Sequence, residues 1–168
     1  QFEPGGTYNI SAAYQVTGRL EVSALEASFN EIVRRHEALR TTFSSEDGKP
    51  AQVIHPSVRV KVAARDLREL AANEAECQTR HVVTQEARRP FDLSQGPLHR
   101  VTVFRLGDEE HLLLITFHHI VFDGWSWTIL RHELCECYAA FSKGASPALP
   151  PPALQYRAYV RDEIDRMQ

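Results

Sequence analysis

The sequence predicts an α/β fold in which a mixed β-sheet is flanked by layers of helices. Segments with helical periodicity alternate along the chain with segments that have the pattern of strands and hairpins. One run, HLLLITFHH at residues 111–119, is almost entirely apolar between His111 and the final two histidines. Such a run is typical of a strand covered on both faces inside a sheet. The length of 168 residues suits one compact domain or one lobe of a larger domain.

The first half of the chain predicts a strand, a helix and a hairpin. YNISAAYQVTG, at residues 8–18, mixes β-branched and aromatic residues without helical periodicity, so it predicts a strand. A helix then opens at Ser23, because Ser23 and Glu26 have the spacing of a capping box. Further on, RTTFSS and AQVIHP flank an EDGKP turn as a hairpin, and VRVKVAA alternates with the period of a strand. Residues at helical spacing predict one core-facing stripe on the helix: Leu25, Phe29, Ile32, Val33, His36 and Leu39.

The second half predicts two further helices around a second hairpin, and then a last helix. ANEAECQTRHVVTQEARR reads as a helix that Pro90 stops. LHRVTVFRL and HLLLITFHH, joined by a GDEE turn, predict the hairpin. The next helix, WSWTILRHELCECYAAFSKG, ends around Gly144 and leads into ASPALPPPA, an extended proline-rich crossing. The last helix is predicted in LQYRAYVRDEIDRM.

Composition excludes some partners and favours a compartment. The formal net charge of −3 gives no electrostatic reason to expect nucleic acid or an anionic membrane. No apolar stretch approaches the roughly 20 residues of a membrane span, and no secretion signal is visible. Three cysteines form an odd count without a disulfide framework, which predicts a reduced, cytoplasmic location.

The segment ITFHHIVFDGWSW carries the candidate chemistry: His118 and His119 close the apolar strand, and Asp123 follows in the next turn. Both histidines could be packing residues with satisfied ring nitrogens. A metal site is disfavoured, because consecutive strand residues point to opposite faces and Asp123 alone leaves too few ligands. A second cluster, His132, Glu133, Cys135 and Cys137, lies on one helix, but its cysteines diverge around the helix axis. No metal site is therefore predicted.

Acid–base chemistry remains, with one ring oriented by packing and the other free to reach a cavity. Imidazole titrates near neutrality, so a positioned histidine can take and return a proton. Asp123, followed by flexible Gly124, can accept backbone hydrogen bonds from the third helix and pair with a buried cation. Because DGWSW is not a nucleophile elbow and no cysteine lies nearby, the pattern indicates a base that acts on a substrate's own nucleophile.

Two motifs resemble those of the condensation domains of nonribosomal peptide synthetases, which share a fold with chloramphenicol acetyltransferase. HHIVFDG matches the HHxxxDG motif of that family, and RHEALRTTF, which ends at Phe43 about 80 residues upstream, is similar to RHExLRTxF. PFDLSQGPLHRVTVFRLGDEEHLLLITFHHIVFDGWS also reads like a condensation-domain segment, whereas LQYRAYV resembles YxDYAxW only weakly. The resemblance covers essentially the whole chain and implies a single chloramphenicol acetyltransferase-like lobe.

The resemblance implies a role for each site residue. His119 corresponds to the catalytic histidine, which acts as a general base or positions the attacking amine by hydrogen bonding. His118 and Asp123 would be structural. Asp123 would pair with Arg40, so that His119 and the backbone amide of Gly124 face the reacting centre. Trp125 and Trp127 are expected to pack at a helix start and Ser126 to serve as a polar residue there, while His36 and Glu37 are expected to be structural.

Condensation domains have two similar lobes, and this chain resembles the N-terminal lobe without its first helix and without the C-terminal lobe. The implied partners are therefore the C-terminal lobe and donor and acceptor carrier domains. The carriers bring phosphopantetheine arms, and no cofactor is expected to bind this chain directly. An exposed cleft face also suggests a homodimer. We expect the chain alone to be a weak or inactive catalyst.

The resemblance implies amide formation between a carrier-bound acyl or peptidyl thioester and the amine of a carrier-bound aminoacyl group. Three rivals share part of the pattern. An epimerisation domain would deprotonate an α-carbon, although Gly124 and the surrounding motif favour condensation. An acyltransferase of the same fold would esterify a hydroxyl. A carrier-binding module would keep the fold without catalysis, but the intact HHxxxDG disfavours it.

Overall fold

The computed structural model describes residues 8–46 and 48–166 as six strands and four helices. Asp47 of the predicted EDGKP turn and Met167 of the predicted last helix lie outside these residues. The observed strands are β1 (Asn9–Thr17), β2 (Thr41–Glu46), β3 (Lys49–Ile54), β4 (Val62–Asp66), β5 (His99–Arg105) and β6 (Glu110–His118). The helices are α1 (Val22–Arg35), α2 (Ala72–Arg88), α3 (Ser126–Phe141) and α4 (Tyr156–Arg166), with a 3₁₀ turn at Glu37–Arg40.

Four strands form a mixed sheet in the order β1-β6-β5-β4, which confirms the predicted fold class. β6 pairs antiparallel with both β1 and β5, whereas β4 pairs parallel with β5. The apolar strand β6 therefore lies inside the sheet, as its composition predicts. β2 and β3 form a separate antiparallel hairpin.

Alternate residues of the central strands feed two hydrophobic clusters. Val103 and Phe117 belong to the larger cluster, which also contains buried residues of α1 and α3. Phe104 and Leu114 belong to the smaller one, together with buried residues of α2. Since successive side chains of a strand point to opposite faces, the sheet is covered on both sides.

Helix α1 begins without the predicted capping box. Ser23 lies inside the helix, and the N-cap residue Glu21 makes no side-chain cap hydrogen bond. Glu26 instead accepts a hydrogen bond from the backbone N–H of Val62, 3.0 Å from its Oε2. The carboxylate thus satisfies a donor at the start of β4, which ties the helix to the sheet.

Helix α1 also ends earlier than the predicted stripe. The helix stops at Arg35, and the chain continues as the 3₁₀ turn, in which Leu39 is buried. The hydroxyl of Thr41 then donates to the carbonyl of Glu37 at 2.8 Å, which satisfies an acceptor in this turn as β2 begins.

Among the described residues, no helix has both the length and the apolarity that crossing a bilayer requires.

We expect Phe29→Ala to lower the free energy of unfolding by about 3–5 kcal/mol, because it opens a cavity in a close-packed core. Phe29 is 2% exposed and belongs to the larger cluster. Urea unfolding of the protein measures the change. Ile129→Ala is the control, because Ile129 is 44% exposed. Equal losses from the two variants would contradict this account of the core.

Candidate functional site at the end of the central strand

The paired histidines lie where β6 leaves the sheet. The backbone N–H of His118 donates to the carbonyl of Leu98 at 3.0 Å, and that of His119 donates to the carbonyl of Tyr8 at 2.8 Å. The N–H of Val121 then donates to the carbonyl of His118 at 3.1 Å, which closes a turn. Backbone bonds on both sides therefore fix the position of each histidine Cα.

The ring of His118 is half-buried and held by packing. Its centroid lies 6.1 Å from that of Tyr8 and 6.2 Å from that of Phe91. The backbone N–H of Ile120 donates to its Nδ1 at 3.1 Å, so Nδ1 acts as an acceptor and is unprotonated. Burial, with a smaller contribution from the neighbouring His119, lowers the pKa of His118. The ring is therefore mainly neutral at pH 7, and its contacts are those of a packed side chain.

The ring of His119 is exposed, in contrast to its neighbour. It lines an open cavity of about 400 Å³ at the end of the sheet. One wall of this cavity consists of residues 119–123 and Ser126, and we call it the first wall. The second wall consists of His36, Ala38, Leu154, Gln155 and Tyr156. The adjacent histidines therefore have the two different environments that the sequence predicts, one packed and one open.

Asp123 supplies the side-chain cap at the start of helix α3, because Trp125, directly before the helix, has a helical conformation and makes no side-chain cap hydrogen bond. Its Oδ1 accepts hydrogen bonds from the backbone N–H of Ser126 at 2.9 Å and from the Ser126 hydroxyl at 2.6 Å. The Ser126 Oγ in turn lies 3.4 Å from the backbone N of Asp123, which completes a reciprocal capping arrangement. These bonds from Ser126 hold the pKa of Asp123 below its ordinary value. The predicted hydrogen bond from the third helix is thus present, and Ser126 is the helix-start polar residue that the sequence indicates.

The expected pairing of Asp123 with Arg40 is wrong. The guanidinium of Arg40 donates to the carbonyl of His55 and lies 3.4 Å from the carboxylate of Glu37. No salt bridge joins Arg40 to Asp123 in the part of the chain that the structure describes. The reason is local: Ser126 satisfies the aspartate from three residues away, while the 3₁₀ turn directs Arg40 toward the β2–β3 hairpin.

The residues after Asp123 divide between core and surface. Trp127 packs edge-on against Phe122 at 4.8 Å and against Phe117 at 5.7 Å, as predicted for a helix-start packing residue. Trp125, predicted to pack in the same way, is 79% exposed. Gly124 is also exposed, and a Cβ added there would meet no atom within 4 Å. Sterics within the described residues therefore do not require glycine at this position.

A buried ion pair behind the second wall was not predicted. Glu133, on α3, accepts hydrogen bonds from Arg35 at 3.2 and 3.0 Å and from Nε2 of His36 at 2.8 Å. Burial raises the pKa of Glu133, but the bonds from Arg35 and His36 outweigh that effect and leave its pKa lowered. The predicted structural role of His36 therefore has a specific partner. Glu133, a member of the cluster considered for metal binding, is committed to this pair.

A signal for this pair exists in the sequence. Glu133 falls on the same helical stripe as Leu130 and Cys137, and Arg35 follows Ile32 on the buried side of α1. Opposite charges on the apolar stripes of two helices predict a buried pair when the helices pack together, because an unpaired buried charge is costly.

The arrangement suits proton transfer or hydrogen bonding to a substrate in the cavity. His119 offers an exposed imidazole on a fixed backbone, and the capped aspartate places a carboxylate on the same wall. Of the predicted site residues, His119 and Asp123 line the cavity, whereas His118 and Arg40 do not. Arg40 lines a smaller, separate cavity with His55 and Gly96.

We expect Asp123→Ala to lower the free energy of unfolding by about 1 kcal/mol at pH 7, because it removes a helix cap. Asp123→Asn should retain most of the stability, since asparagine is also a good cap. A residue that acted through an ion pair would lose the same stability in both variants. Urea unfolding measures the differences, with Asp162→Ala on the exposed face of α4 as the control.

The stability conferred by Asp123 should depend on pH. Its pKa is lower in the folded protein than in the unfolded chain, so the contribution is complete above the ordinary aspartate pKa of about 3.9. It is lost as the pH falls through the folded-state pKa. The difference between wild type and Asp123→Ala should therefore shrink on acidification below about pH 4. A difference that stays constant down to pH 2 would contradict the cap.

Comparison with known proteins agrees with this architecture. Residues 1–168 match the family model described as "Condensation domain". The chain is 41% identical over 161 residues to a linear gramicidin synthase of Brevibacillus parabrevis, covering 96% of this chain and 2% of that protein.

Solved structures give the same result. The crystal structure of the X-domain from teicoplanin biosynthesis superposes with a TM-score of 0.83 at 31% identity, covering 95% of this chain and 34% of that one. The complex of the X-domain and OxyB from teicoplanin biosynthesis gives a TM-score of 0.81 at 30% identity, with the same coverage. This chain thus spans a small part of its relative among the synthases and about a third of these solved chains. With its whole length matched, the chain belongs to the condensation domain family.

Proposed function

We propose that this chain forms part of an enzyme that makes amide bonds in nonribosomal peptide synthesis. The donor is an acyl or peptidyl thioester on one carrier domain, and the acceptor is the amine of an aminoacyl group on a second carrier domain. The observation that carries the proposal is the exposed ring of His119 on the wall of the cavity. Membership of the condensation domain family supports it.

In the proposed step, the acceptor amine attacks the thioester carbonyl, so a C–N bond forms and the C–S bond breaks. The amine loses one proton and the leaving thiolate gains one, which gives an amide and a free thiol. His119 receives or orients the amine proton and returns it toward the sulfur. An α-amine has a reference pKa of about 7.7, so it is partly neutral at cellular pH, and orientation alone would already help it attack.

The cavity suits a substrate delivered on a flexible arm. Its volume of about 400 Å³ is that of a small-molecule site, and it is open to solvent. Phosphopantetheine arms of carrier domains would bring both thioesters to the ring of His119, and the chain itself would hold no resident cofactor. A cytoplasmic location, where such carriers are loaded, stays part of the proposal.

We also propose that this chain is the N-terminal lobe of a two-lobed domain whose C-terminal lobe covers the cavity. Several large apolar side chains near the cavity are exposed, which indicates a covered surface. Their exposed fractions are high: Ile120 43%, Trp125 79%, Leu154 53%, Tyr156 60%. A second copy of the chain on the same surface is the alternative, and sedimentation of the protein distinguishes a closed monomer from a dimer.

A second candidate function is binding of a carrier domain or another protein without catalysis. It is favoured by the similarity to an X-domain that forms a complex with OxyB. Under this proposal the lobe would bind a partner protein, and the peptide attached to the carrier domain would remain chemically unchanged. Epimerisation or transfer to a hydroxyl would use the same imidazole, and the products distinguish them from amide formation.

We expect His119→Ala in the intact protein to reduce amide formation by about 10²–10⁴-fold, the usual contribution of a positioned acid–base group. Loaded donor and acceptor carriers are mixed with the protein, and mass spectrometry follows the amide product. His132→Ala is the matched control, because His132 is an exposed histidine on α3 outside the cavity lining.

Other outcomes identify the rivals. Full amide output from His119→Ala would overturn the assignment of His119. Hydrogen exchange at the α-carbon without an amide would indicate epimerisation, and an ester product would indicate a hydroxyl acceptor. Carrier or enzyme binding without turnover in the wild type would support recruitment.

A further inference from the structure

The part of the second wall formed by residues 154–156 has little apolar burial to hold it in place. Leu154 is 53% exposed and Tyr156 is 60% exposed, so neither side chain is anchored in the core. Both residues lie where the proline-rich crossing passes into α4. The position of this segment relative to His119 therefore depends on the contacts beside it, which are the packing of Leu149 against the larger cluster and a set of polar contacts.

Gln155 supplies two of these contacts with one side chain. Its Nε2 donates to the carbonyl of Arg35 at 2.8 Å, and its Oε1 accepts from the backbone N–H of Glu37 at 3.1 Å. The carbonyl stands at the end of α1 and the N–H opens the 3₁₀ turn. Both groups lie where regular helical bonding ends, so the amide satisfies backbone groups that the helix leaves open.

The buried ion pair adds two more contacts to the same crossing. The guanidinium of Arg35 donates to the carbonyl of Pro150 at 2.6 Å and to that of Leu149 at 3.4 Å. Glu133 accepts two hydrogen bonds from the same guanidinium and thereby orients it. The crossing is thus held at residues 149–150 and again at Gln155.

Helix α3 connects the two walls. Its capped start at Ser126 belongs to the first wall, and Glu133 lies seven residues further along. Seven residues of α-helix rise about 10 Å, or two turns. One rigid element therefore carries both the cap beside His119 and the carboxylate that orients Arg35 and His36.

We propose that Gln155 and Glu133 are positioning residues that fix the second wall relative to His119. The wall would hold the acceptor while its amine approaches the ring. This inference rests on the proposed function for its effect on catalysis, whereas the tether itself can be tested without turnover. Neither residue is assigned any contact with the reacting atoms.

The wall holds the acceptor before and during reaction, so loosening it removes binding that is common to the ground state and the transition state. We therefore expect Gln155→Ala to raise the KM for the acceptor carrier about tenfold while kcat changes less than about threefold. Gln78→Ala is the matched control, because Gln78 is exposed on α2 and remote in sequence from the cavity lining.

Hydrogen–deuterium exchange of the intact protein tests the tether directly. In Gln155→Ala, the amide of Glu37 and the amides of residues 153–160 should exchange about tenfold faster, while those of β5 and β6 stay unchanged. Unchanged exchange at Glu37 and at the wall would overturn the proposal. Faster exchange with a wild-type acceptor KM would also overturn it.

Two further results keep the test decisive. If the sheet also exchanges faster in Gln155→Ala, the milder Gln155→Glu replaces it, because this variant keeps the acceptor for the Glu37 N–H. This variant loses the bond that Gln155 donates to the carbonyl of Arg35, so wild-type exchange at residues 153–160 together with a wild-type KM would contradict the proposal. If His119→Ala retains full amide output, the proposed function fails, but the exchange experiment still decides whether Gln155 holds the wall.

Discussion

Coverage of β6 on both faces is the constraint on which the rest of the structure depends. The strand packs α2 on one side and α1 with α3 on the other, so its register cannot slip without moving apolar side chains to the wrong layer. The same register that buries Phe117 fixes where the strand ends. Successive side chains of the strand point to opposite faces. At the end of the strand, this alternation gives two consecutive histidines different surroundings.

The site is built on regular elements and not on a long loop. Backbone hydrogen bonds to Tyr8 and Leu98 hold the histidines at the end of the central strand, and Asp123 ends the turn that follows by capping a helix. A packed aromatic group, Phe117 stacked on Phe122 at 3.9 Å with Trp127 edge-on, lies beneath this turn. Such a frame fixes the backbone position from which the His119 side chain extends, which is one requirement for orienting a reactant.

Much of this arrangement could be predicted from the sequence. Strand and helix order follow from hydrophobic periodicity, and the difference between His118 and His119 follows from strand alternation alone. The capping box at Ser23 failed because its spacing is a local pattern, while Glu26 bonds a backbone group 36 residues away. The Arg40–Asp123 pair failed because it was taken from resemblance, and the pattern could not show that Ser126 would satisfy the aspartate first. The Arg35–Glu133 pair needed knowledge of which helices pack together, which periodicity does not give.

The bonds from Arg35 to the carbonyls of Leu149 and Pro150 also bear on how such domains can be recombined. The proline-rich crossing has the composition of a linker, and it is an attractive place to join halves of different synthetases. In this fold its carbonyl groups serve as acceptors for a buried guanidinium. A hybrid with its junction inside residues 145–155 would keep these acceptors only if the foreign segment followed the same backbone path past Arg35, whereas a junction beyond Gln155 leaves that path unchanged.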